Sequence, residues 1–150
     1  MPKKLDSSEI DLTNYKYPDK FGKWLGYEVL KYDRKKHRAE TGLKIRKDHL
    51  SPAGRVHGGV ISGFFDFSCG VAVFSTMNKG DFCSTVELKV NYLRPIDLGD
   101  HLIAKTQVVF RGKKLCVIHG FIYKKDTKTG RQERKPIAMA TATFNIVSPS

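Results

Sequence analysis

From Val56 to Asn78 the chain is apolar almost without interruption, and Asp66 and His57 are its only titratable side chains apart from a cysteine. Such a run is just long enough to cross a bilayer. Against that stand a carboxylate near its middle, costing about 2.5–3.5 kcal/mol on insertion scales, four glycines and strand-rich flanks. It reads instead as a helix buried in a soluble core. After Gly80 the period becomes two: Val86, Leu88, Val90 and Tyr92 alternate with Glu87, Lys89 and Asn91 until Arg94-Pro95 ends the run. Leu102, Ala104, Thr106, Val108 and Phe110 continue the alternation, and the turn Arg111-Gly112-Lys113-Lys114 leads into 115–123, apolar on both faces. A second turn, Asp126 to Gly130, precedes a last strand at about 135–147. Upstream, two strand-like runs at about 26–33 and 37–46 flank the turn Asp33 to Lys36, with Val29, Leu30, Ala39, Leu43 and Ile45 as their apolar positions. The segment Pro18 to Gly26 predicts one or two helical turns closed by glycine, tucking Phe21 and Trp24 against the body.

Two strands, one long apolar helix and four hairpin-linked strands imply an α+β fold with an antiparallel sheet. A helix greasy on every side needs cover on every side, which a curved sheet wrapped around it provides. The wrapped sheet keeps two edges and an open face, so pairing with a second subunit is expected. At 150 residues the chain suits one domain, assigned to 21–150, preceded by a polar arm over 1–20.

With 40% hydrophobic and 28% charged residues the composition is that of a soluble protein, while the net charge of +12 favours anionic partners without choosing among them. Cys69, Cys83 and Cys116 are odd in number and lack CxxC spacing, so they read as free thiols in a reducing, cytoplasmic compartment. The first residues carry no apolar h-region, and Asp6, Glu9 and Asp11 argue against a transit peptide. The five histidines are dispersed and suggest no metal site, and no cofactor is expected.

The chemically informative stretch is Ser51-Pro52-Ala53-Gly54-Arg55-Val56-His57-Gly58-Gly59, running straight into the apolar helix. Unpaired N–H groups at a helix start, approachable where glycine lacks a Cβ, form an oxyanion or anion site. Tight packing of the helix start against a strand would also explain the two glycines. Asp66, flanked by Phe64, Phe65 and Phe67, is expensive to bury unless something pairs with it or uses it. Nine residues separate His57 from Asp66, about 13.5 Å along a helix and half a turn round. One helix cannot bring both to one substrate atom, so a site using both ends must combine two copies of the chain.

Gly54-x-x-His57-Gly58-Gly59, the aspartate nine positions after the histidine, Thr85-Val86-Glu87-Leu88 and Tyr92-Leu93-Arg94-Pro95 resemble the hot-dog-fold acyl-CoA thioesterases, in particular the phenylacetyl-CoA thioesterase-like branch, over roughly 25–147. The resemblance implies a homodimer or homotetramer (a dimer of dimers) that hydrolyses acyl-CoA. It makes Asp66 the base or nucleophile and Gly58 the N–H donor to the thioester carbonyl, with His57 and Gly59 beside it. A hydroxyl at the start of the third strand, Ser84 or Thr85, helps position the water; by alternation Thr85 lies opposite Val86 and Leu88 and points toward a partner. Ser51 stands where the branch commonly has asparagine. The coenzyme A phosphates need cations, for which Arg94, Arg111, Lys113 and Lys114 are candidates. Ser62, Ser68 and Ser75 lack a nucleophile-elbow context and read as small polar residues that ease helix packing. Competing functions are a hydratase or dehydratase acting on acyl thioesters, and a binding protein without turnover. Nucleic acid is disfavoured, because no helix-turn-helix pattern precedes the domain and few aromatics interleave the basic runs.

Overall fold

The computed structural model describes Leu12 and residues 19–149. The apolar run forms α2, Gly58–Phe74, shorter than its hydrophobic span at both ends. Val56 is taken into a bridge with Leu50, and Ser75, Thr76 and Met77 close the last turn with i→i−3 bonds. Before α2 lie α1 (Lys20–Leu25), β1 (Glu28–Asp33), β2 (Arg38–Lys44) and a 3-10 turn at Lys47–His49; after it come β3 (Phe82–Tyr92), β4 (His101–Arg111), β5 (Leu115–Lys125) and β6 (Ala138–Val147). All six strands join one antiparallel sheet in the order β1-β2-β4-β5-β6-β3, so β1 and β3 are its edges. The sheet curls around α2, which touches β2, β3, β4, β5 and β6.

Phe64 and Phe65 are wholly buried on the sheet side of α2 with Ile61, Cys69, Ala72 and Val73. Burying each large side chain contributes about 1.5–3 kcal/mol to this contact. The helix's few hydroxyls are all used: Ser68 bonds Thr41 at 2.5 Å and the Phe64 carbonyl at 2.6 Å, and Thr106 donates to the Ser68 carbonyl at 3.0 Å. Ser75 bonds the Ala72 carbonyl and the His37 ring, and Ser62 the Gly59 carbonyl. Among the described residues no helix is long and apolar enough to cross a membrane.

The strand faces differ from simple alternation in four places. In β3 the register shifts between Thr85 and Glu87, so Val86 is exposed while Leu88 and Val90 pack on the core. A second bulge between Val108 and Phe110 turns Phe110 outward, and a third between Val29 and Lys31 leaves Leu30 partly exposed. β5 is buried on one face only, because the helix covers one side of a single-layer sheet and leaves His119 and Phe121 on the other. In α1 the residues that dock are Gly22 and Leu25; Phe21 and Trp24 stay about half exposed, stacked on each other, with Phe21 also against Phe67. Asp19 caps α1 by accepting from the Gly22 N–H, so the folded unit includes residue 19. Of the proposed arm, Lys20 begins α1 after its Asp19 cap, and the rest lies outside the described residues except Leu12, which is buried against the second core cluster.

Candidate active site

Asp66 sits half-buried on the face of α2 that the sheet leaves uncovered, the face carrying Ser62, Gly63, Phe67 and Gly70. Its carboxylate is not isolated: Thr85 Oγ1 donates to Asp66 Oδ1 at 2.6 Å, the short distance of a charge-assisted bond. The bulge after Thr85 produces this contact by turning the residue toward its own helix. That corrects the expectation that Thr85 points to a partner. Ser84 lines the same groove without a comparable bond to Asp66.

The start of α2 is built by a tight loop. Ser51 and Arg55 pair through the Ser51 N–H, Gly54 returns a bond to the Ser51 carbonyl, and the His57 N–H donates to the His49 carbonyl at 3.0 Å. His49 is fully buried, and its ring takes the Arg46 N–H on Nδ1 while Nε2 donates to the Leu25 carbonyl. Those partners require the neutral ring, and burial accordingly pushes its pKa down. His57 occupies the N-cap position without a side-chain capping bond, and its side chain is exposed beside Gly58 and Gly59. The first-turn N–H groups of Gly58 and Gly59 have no intrahelical acceptor, and a Cβ on Gly59 would meet nothing within 4 Å. Tyr92 was not singled out for chemistry by its place in the strand pattern, yet its hydroxyl donates to the Gly58 carbonyl at 2.9 Å. A Cβ on Gly58 would come within 3.3 Å of that oxygen, so glycine and tyrosine fit one another there.

Asp66 and Thr85 open onto a groove of about 620 Å³ between the two sheet edges, walled by Phe67, Val71, Phe74, Phe82 and Leu12. Cys83 also lines it, but burial, with the Asp66 charge adding to it, pushes this thiol up to about 11. It is therefore protonated at neutral pH and a poor nucleophile. A wider depression of about 920 Å³ lies over the outer face of the sheet. It holds none of the candidate residues, and its Lys31 and Lys105 pair with Glu40. Among the described residues no three His, Cys, Asp or Glu side chains gather where a metal ion could be held.

Residues 53–131 match the Thioesterase superfamily. The chain belongs to that family. As a thioesterase it is a thioester hydrolase, and its architecture is the hot-dog fold. A phenylacetic acid degradation-related protein of Ralstonia eutropha JMP134 is 27% identical with a TM-score of 0.74, over 87% of this chain and 92% of that one. A hypothetical thioesterase protein of Streptococcus pneumoniae TIGR4, solved with coenzyme A, is 26% identical with a TM-score of 0.68, over 82% and 87%. Human acyl-coenzyme A thioesterase 13 is 26% identical over 74 residues, 49% of this chain and 52% of that protein.

In this thioesterase Arg94, Arg111, Lys113 and Lys114 do not line the groove beside Asp66. The Arg94 guanidinium is committed to Glu133 at 2.9 Å and to the Lys135 and Pro136 carbonyls, tying the end of β3 to the segment before β6. Arg111 bonds Thr76 at 3.1 Å and the Gly112 and Lys113 carbonyls, which places its turn beyond the C-terminal end of α2. Sixteen residues of helix, about 24 Å, separate that end from Gly58. Within one chain the turn Arg111 to Lys114 is thus far from the Gly58 end of α2.

Proposed function

We propose that this thioesterase hydrolyses acyl-CoA thioesters to free acid and coenzyme A, with Asp66 as base or nucleophile and the Gly58 N–H as oxyanion donor. The observation that carries this reading is the Asp66–Thr85 pair at 2.6 Å, opening onto an apolar groove on the helix that starts with Gly58-Gly59. A thioester is already activated, so a positioned water, a carboxylate to take its proton and a polarised carbonyl suffice. In the base route water oxygen bonds the acyl carbon, its proton passes to Asp66, the C–S bond breaks, and the proton returns to the coenzyme A thiolate. Thr85 holds the carboxylate's other face. His57 and Gly59 border the oxyanion, and Ser51 stands on the loop before the helix. Nothing beyond the substrate's own coenzyme A is called for. The coenzyme A in the pneumococcal relative supports that substrate.

Gly58 and Asp66 are eight residues apart on one straight helix, about 12 Å. Donor and base must both come within about 3 Å of the reacting group, so the reading requires Gly58 of one subunit to act with Asp66 of another. The unpaired β3 edge, with Phe82, Val86, Tyr92 and Leu93 about half exposed, supports a homodimer through that edge. Exposed Leu30, Phe121 and Met139 elsewhere on the surface leave room for a dimer of dimers. The three free thiols suit a reducing, cytoplasmic setting.

Free-thiol release from acyl-CoA by wild type and Asp66→Asn tests the proposal. The amide can still accept the Thr85 hydroxyl but cannot take a proton, so turnover should fall at least a hundredfold while circular dichroism and coenzyme A affinity hold. Wild-type turnover in the variant would make the carboxylate structural. Absence of thiol release by wild type would favour a binding protein or a hydratase.

A further inference from the structure

The groove beside Asp66 is larger than the chemistry needs: about 620 Å³ is space for on the order of twenty waters, and its walls beyond Asp66 and Thr85 are mostly apolar. Its floor is Gly70, one helical turn after Asp66 and on the same face. Glycine is the poorest helix former after proline, so a mid-helix glycine calls for a reason. Close packing is not that reason. A Cβ on Gly70 would meet only a Phe144 ring carbon at 3.9 Å, an ordinary contact. What a side chain at 70 would do is fill the groove between the catalytic pair and Phe74.

The groove floor from Asp66 to Phe74 spans eight residues, about 12 Å. An extended alkyl chain advances roughly 1.3 Å per carbon, from ~1.5 Å bonds at tetrahedral angles, so about nine carbons fill it. An acetyl or phenylacetyl group would leave most of the apolar wall wet. Resting on the hydrolysis reading above, we propose that the groove takes an unbranched acyl chain of medium to long length, about eight carbons or more, and that Gly70 is the residue that sets this specificity.

The test is kcat/KM for butyryl-, hexanoyl-, octanoyl-, decanoyl- and phenylacetyl-CoA with wild type, Gly70→Ala and Gly70→Leu. Each methylene buried in the transition state is worth up to about fourfold, so wild type should rise steadily to decanoyl-CoA. Leucine should lower the decanoyl-to-butyryl ratio of kcat/KM more than tenfold. Alanine, which adds one methyl to the floor and a better helix former, should lower the decanoyl-to-butyryl ratio about threefold without lowering the melting temperature. A flat wild-type profile, a preference for phenylacetyl-CoA, or a ratio unchanged in both variants overturns the proposal. If no acyl-CoA is hydrolysed, the hydrolysis reading fails and calorimetric titration with butanoate, octanoate and decanoate decides the groove separately. Decanoate binding that tightens with chain length and is lost in Gly70→Leu upholds the acyl site; binding that is absent or insensitive to both variants rejects it.

Discussion

Replacing Thr85 by valine removes one hydroxyl and almost no volume, so it isolates the bond to Asp66. At 2.6 Å to a carboxylate oxygen that bond is of the charge-assisted type, worth about 1.5–3 kcal/mol when buried. Thr85 lies on an exposed edge strand and Asp66 is half-buried, which places the value near the lower end. If the bond holds the carboxylate in its productive orientation, its loss should appear in the chemical step: about 1.5–2 kcal/mol is a ten- to thirtyfold fall in kcat. KM should change less than twofold, because the hydroxyl faces Asp66 rather than the thioester. Thr85→Ser restores a donor and should stay within threefold of wild type. Ser84→Ala removes the neighbouring hydroxyl and should stay within twofold. The assay is thiol release under saturating acyl-CoA, with thermal melts as the fold control; the exposed site should keep its melting temperature within a few degrees. Wild-type kcat in Thr85→Val with an intact fold would refute a working role for the pair and reduce it to a surface contact.

Three further outcomes follow from the same geometry. Co-refolded Asp66→Asn and Gly58→Val subunits should regain about a quarter of wild-type turnover, since half the dimers are mixed and each rebuilds one site of two; no recovery, with mixed dimers shown by tagged pull-down, would place each site within one chain. Lys113→Ala with Lys114→Ala should raise KM for acyl-CoA far more than for a pantetheine thioester; equal effects on both substrates would move the phosphate site elsewhere, for instance to Arg94. His49 is buried in its neutral form with a lowered pKa, so the unfolded chain takes up a proton near pH 6.5 before the folded one does. Its stabilising contribution is therefore complete above that pH and is lost as pH falls below it, by up to about 1.4 kcal/mol per unit until the lowered native pKa is reached. Urea midpoints at pH 7.5 and 5.5 should fall further in wild type than in His49→Gln, and parallel losses would show the histidine is not the titrating group.

How far the sequence alone reaches depends on where each interaction is encoded. The long helix was legible because its code is local: one apolar run, glycines at its head and one carboxylate inside it. The strand series was legible by the same local alternation, yet its faces failed at each bulge. In β3 the shift at Val86 exists only in the pairing with β6, so period two alone puts Thr85 on the wrong side. The family resemblance singled out the Thr85 position, but only the fold shows that its hydroxyl reaches Asp66 of the same chain. Basic residues are the least legible, because their partners depend on which ends of elements meet. Arg94 and Arg111 carry similar charge in similar turns, and the fold spends both on tying loops to neighbouring backbone. The helix, by contrast, carries an argument that survives the change from sequence to structure. Its rise separates Gly58 from Asp66 by about 12 Å whatever surrounds it, so on the proposed reading a chain that places Asp66 against its own Thr85 takes its oxyanion donor from a second copy. The exposed β3 edge, which carries both Thr85 and Tyr92, is where a second copy would bring its own helix start within reach.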